Sequence, residues 1–256
     1  MLTVDDEWLR SQDEQQKANA APESVRRLIA VAIGWFVAAV VAAVLFAAVT
    51  AAIYSLYRVK QIPELHRFYG AMAMLGFSIT LLVAALIRGR VVGHGRIGVG
   101  LANERMSRIS IVALMAVAVA GYAMWVSQSG IDTRSDLIAR LYGLSPWLTI
   151  FSAVFVILLA GLLVPLSEEL FFRGWLWTGL QSHWDTLPIA AFTSAMWLLP
   201  HAFEHGILNL VFLVPIAVAL AIARHLGKSV RAPLFLHVIY NNGILISPLV
   251  LALRSA

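Results

Sequence analysis

PLSEELFFRGWL, Pro165 to Leu176, is an apolar run interrupted by Glu168, Glu169 and Arg173. Near the middle of a bilayer an ionised Glu or Arg costs about 2.5–3.5 kcal/mol on insertion scales, so such residues persist where they pair or line a polar cavity. On a helix, Glu169 and Arg173 are i, i+4 neighbours in the favourable acid-first order, and Glu168 sits one step around the turn. One carboxylate is matched and one is left over. A spare carboxylate in a poorly solvated site is the raw material of a general base. The stretch reads equally as a structural ion-pair network at a membrane surface, since such networks also perturb pKa values.

Around this stretch the composition names the solvent. The 256 residues are 60% hydrophobic and 13% charged, with a mean hydropathy of +0.81. That is too apolar for a soluble domain and predicts an all-α, polytopic membrane bundle. The net charge of +5 is scattered between apolar spans and forms no basic face, which argues against nucleic acid and for topology signals. With no Cys, thiolate nucleophiles, thiolate metal sites and disulfides are excluded.

Residues 1–27 are polar and read as a short cytoplasmic tail, with the first span acting as targeting signal. Apolar spans are expected at about 28–54, 69–87 and 109–126, each near the ~20 residues needed to cross. These carry no interior acid or base, so residues 28–146 read as scaffold spans and loops. Gly93, Gly95 and Gly98 match GxGxxG, but the connection lacks room for a βαβ unit. It reads as a basic loop facing anionic lipid. A short interfacial helix is expected near 137–142. Further spans are expected from Trp147 through the glutamates to Leu180, then at 187–204, 207–223 and 229–253, about seven in all. Pro165 is expected to kink the fourth. With the N-terminus cytoplasmic, twelve Lys and Arg fall in inner segments and six in outer ones, which favours that orientation.

The second half also holds His201, Glu204 and His205, then His237, Asn241 and Asn242. At 1.5 Å per residue, Glu168 lies about 18 Å from its helix end, His201 about 21 Å into the returning helix, and Asn241 about 18 Å into the last. Glu168, His201, His237 and Asn241 are therefore expected around one cavity, entered from the face carrying residues 181–186 and 224–231. Taken singly, a His on an apolar helix is more often a packing residue, and the Asn pair equally reads as bonding neighbouring helices.

Glu168-Glu169-x-x-x-Arg173, Trp197-x-x-x-His201 and His237-x-x-x-Asn241, in this order, resemble the CPBP family of intramembrane endopeptidases. That family includes the type II CAAX prenyl proteases and bacterial Abi and bacteriocin-processing relatives. The resemblance covers about residues 147–253, within an expected catalytic core of residues 147–256; Trp197 departs from the usual Phe. It implies that Glu168 and His201 activate water while His237 and Asn241 stabilise the oxyanion. Glu169, Arg173 and Trp197 then support and orient. It further implies a membrane-associated protein or peptide substrate, prenylated or not, no cofactor, and a bacterial inner or plasma membrane location with the cavity open to the cytoplasm.

Two other readings stay open. Glu168, His201 and His237 are a ligand set of the kind catalytic zinc uses, and His201 to His205 also fits H-x-x-E-H. A non-catalytic immunity or scaffold protein would use the same cavity for binding, free to lose the acid and the oxyanion donors, which this chain retains.

Overall fold

The computed structural model describes residues 23–56, 67–91, 109–128, 151 and 154–255. The tail to residue 22, the glycines at 93–98 and the helix expected at 137–142 lie outside the described residues. Among the described residues seven helices follow one another: α1 (Val25–Leu56), α2 (Arg67–Val91), α3 (Ile109–Gln128), α4 (Val154–Leu180), α5 (Thr186–His205), α6 (Val214–Gly227) and α7 (Arg231–Ser255). No strand occurs among the described residues, and the protein is an all-α helical bundle.

The distribution of side chains is that of a protein dissolved in lipid. Val37, Val44, Leu114 and Val117 are more than half exposed, while Glu168, Glu169, Arg173, His201, Arg224 and His237 are buried. Inside a bilayer, apolar surface loses nothing by facing outward and polar groups must find partners within. α1, α2 and α4 are each long and apolar enough to cross a membrane; α3 and α6 are shorter apolar helices. α6 begins later than its sequence suggested. Gly206, at φ 81°, ends α5, and Ile207–Phe212 forms a 3₁₀ helix before Pro215 opens α6. At about 2.0 Å per residue this piece supplies the length that 14 α-helical residues lack.

α4 is the axis. In its apolar window 61% of residues are buried, against 22% in α1. α2 packs on one side of α4, with α1 outside it, while α7 packs on the other and is flanked by α3 and α6. The α1–α2 pair is close because Gly76 has no side chain: a Cβ there would stand 2.8 Å from the Ala42 carbonyl. At one end of the bundle Glu23, before α1, pairs with Arg88 of α2. The Arg88 guanidinium lies 5.6 Å from the Trp175 ring of α4, and His183 Nε2 donates to the Glu23 carbonyl at 2.8 Å. The start of α1, the end of α2 and the α4–α5 turn therefore share one end.

Candidate active site

The site is built on irregularities of α4. Residues Leu159–Leu163 and Glu169–Leu176 are π-helical, separated by one α-helical turn. A π turn packs more residues per turn, so consecutive side chains diverge less, and all eight residues from Glu169 to Leu176 are buried. Such turns are frequent at functional sites. They also re-route backbone hydrogen bonds, and side chains from other helices meet the carbonyls that are passed over.

Three examples show this. The Val164 amide bonds to Leu159 rather than to Ala160, and the Ala160 carbonyl accepts from Asn241 Nδ2 at 2.7 Å. Pro165 has no N–H to give Gly161, four residues back; Asn242 Nδ2 donates to that carbonyl at 2.9 Å. A Cβ on residue 161 would lie 2.5 Å from Asn242 Oδ1, so glycine is required for the approach. The Trp177 amide bonds to Phe172 and Gly174, passing Arg173, whose carbonyl accepts from Arg224 Nε at 2.7 Å. Pro165, where a kink is expected, lies just after the first π-helical stretch, and α7 supplies the missing donor.

The glutamates sit in a chain of polar contacts. Arg173 Nη1 donates to Glu169 Oε1 at 3.1 Å, and His237 Nδ1 donates to the same oxygen at 2.9 Å. His237 Nε2 stands 3.8 Å from Glu168 Oε2. That oxygen also accepts from the Trp197 indole N–H at 2.5 Å. The Trp197 ring lies 5.2 Å from the Arg173 guanidinium carbon and 4.5 Å from the His201 ring. His201 Nδ1 faces the Trp197 carbonyl at 2.9 Å. A carbonyl only accepts, so Nδ1 carries the proton, and in the neutral ring Nε2 is the basic nitrogen.

A cavity of about 270 Å³ opens beside this chain. Glu168, His201 and Ser78 are its polar lining residues, set among apolar side chains of α1, α2, α4 and α5. Glu169, Arg173, His237 and Trp197 stand behind Glu168 and do not line it. Asn241 lies against Ala160; its amide carries two N–H groups, one of which is engaged there. Counted along the helices from the 181–185 end, Glu168 and Ser78 lie at about 18–20 Å and Gly70, also in the lining, at about 32 Å. The lining thus spans the depth between Glu168 and Gly70.

Sequence reading missed three contributors. Arg224 was grouped with the loop charges, yet it is 3% exposed and bound to α4; its place after an apolar run, before Gly227, was the available signal. Ser78 and Gly161 lie in spans where nothing marks them locally. Among the described residues no group of three or more His, Cys, Asp or Glu is placed to hold a metal ion. The side chains of Glu204 and His205 lie outside the described residues.

Residues 150–243 match the family described as type II CAAX prenyl endopeptidase Rce1-like. The match agrees with the resemblance carried by the three motifs, includes all seven residues named in them, and leaves α1–α3 outside. No curated protein and no solved structure matches the chain.

Proposed function

With residues 150–243 matching the Rce1-like family, we propose that this protein is an intramembrane endopeptidase that hydrolyses a peptide bond of a membrane-associated substrate. Glu168 is the general base. Water held between Glu168 and His201 gives a proton to the carboxylate as its oxygen attacks the scissile carbonyl carbon. The carbonyl electron pair moves onto oxygen, and the family resemblance assigns the donors for that oxyanion to His237 and Asn241, which stand behind the Glu168 wall of the cavity, so substrate must displace that wall to reach them. Collapse breaks the C–N bond, and the proton held by Glu168 passes to the leaving amine. Trp197 and His237 aim Glu168, while Arg173 holds the Glu169 carboxylate in place behind it.

The observation that carries this reading is the shared cavity. Glu168 and His201 line it from different helices, although both are nearly withdrawn from the surface at 4% and 8% exposure. An ion-pair network serving structure alone has no reason to present its unmatched carboxylate to a space large enough for substrate.

The test is hydrolysis of prenylated and unprenylated peptides by the protein in nanodiscs, comparing wild type with Glu168→Gln, before and after exhaustive chelation. Activity that survives chelation and falls at least about 10³-fold in the variant is expected. Loss of wild-type activity on chelation, with recovery on adding a divalent metal, would replace the base with a metal-bound water. Full activity in Glu168→Gln would remove Glu168 from the chemistry.

A further inference from the structure

Ser78 lies on α2, outside the segment that carries the family match, and it is completely buried. Its hydroxyl has no hydrogen-bond partner among the described residues, although it lines the cavity with Glu168 and His201. Five helical hydroxyls show what a serine or threonine does when its own helix satisfies it. Thr50, Ser55, Thr80 and Thr193 each donate to the carbonyl four residues back, and Ser167 donates to the one three back. Ser78 has the same option in Met74 and does not take it. A hydroxyl with no partner, on a residue that lines the cavity, is available to a group that enters it.

The walls limit what that can be. The cavity that Ser78 lines is also walled by Ala43, Ala73, Met74, Phe77 and Val164, none of which carries a hydroxyl, amide or charged side chain. A peptide cleaved inside a membrane must be extended at the scissile bond, and its exposed amide groups find no water there. A hydroxyl can both donate and accept, so it can serve either a peptide N–H or a peptide carbonyl. Resting on the endopeptidase reading, we propose that Ser78 is a substrate-positioning residue: it hydrogen-bonds a main-chain amide group of the bound peptide beside the scissile bond. The α1–α2 pair is then one wall of the substrate site.

Two measurements test this without depending on turnover. The first is the affinity of a fluorescent farnesylated peptide for Glu168→Gln in nanodiscs, compared with Glu168→Gln/Ser78→Ala and Glu168→Gln/Ser78→Thr. Loss of one hydrogen bond predicts binding about 3- to 10-fold weaker in the Ala variant and near-normal in the Thr variant. The second is thermal unfolding of Ser78→Ala with no peptide present. Removing a buried, unpaired hydroxyl predicts a midpoint equal to or above that of wild type, whereas a structural serine predicts a lower one. In a cleavage assay the same variant should raise KM with kcat little changed. Equal affinities in all three proteins, no binding of the probe to any of them, or a lowered midpoint would each overturn the role of Ser78. None of these outcomes bears on Glu168, whose role is decided by hydrolysis.

Discussion

At the scale of single residues, the decisive feature is a buried charge pair with a shared acceptor. Glu169 Oε1 receives both Arg173 and His237, and both ends of the Glu169–Arg173 bridge are fully withdrawn from solvent. A buried pair adds little net stability, but breaking it by removing one partner leaves an uncompensated charge. Arg173→Gln is therefore expected to destabilise the protein by about 3–5 kcal/mol, read from unfolding in detergent. Glu169→Gln/Arg173→Gln should recover a substantial part of that loss, because neither charge remains. Additive losses in the double variant would mean that the pair is not coupled. The i, i+4 spacing of these two residues was legible in sequence. The third partner, His237, lies 68 residues away, and no local pattern connects it to Glu169.

At the scale of elements, α4 departs from an ideal helix and α7 repairs it. Pro165 alone announces that the Gly161 carbonyl lacks its donor, and Asn242 fills the gap while also bonding the Val238 carbonyl of its own helix at 2.8 Å. Asn242→Ala leaves a buried carbonyl unmet, with an expected cost of about 1–3 kcal/mol. Pro165→Ala restores a backbone donor at that position, so Asn242→Ala should cost measurably less in a Pro165→Ala background. An equal cost in both backgrounds would show that Asn242 acts elsewhere. The adjacent Asn241 and Asn242 read as a polar interruption of an apolar helix in sequence; that their targets are Ala160 and Gly161 depends on how α7 crosses α4.

At the scale of the whole molecule, the bundle has two ends with different contents. The Glu23–Arg88 pair, His183 and the turn at 181–185 mark one end, and the cavity extends from Glu168 toward the other. The chain lacks cysteine, so single introduced thiols report sidedness cleanly. The excess of Lys and Arg predicts that Ser182→Cys is shielded from an impermeant maleimide on intact cells while Leu208→Cys, past the end of α5, reacts. The reverse pattern would place the far end, and the cavity with it, at the cytoplasm. By itself the sequence determined the solvent, the helical class and the residue types able to do chemistry, because composition and short spacings are local properties that lipid and helix geometry read directly. Only the tertiary structure decided which groups face the cavity and which stand behind it. It put Ser78 of α2 beside Glu168, turned His237 onto Glu169, set Asn241 on Ala160 and drew Arg224 into the bundle. These outcomes depend on the π turns of α4 and on helix crossings, which arise where distant segments satisfy each other's backbone in a medium that offers no water to do so.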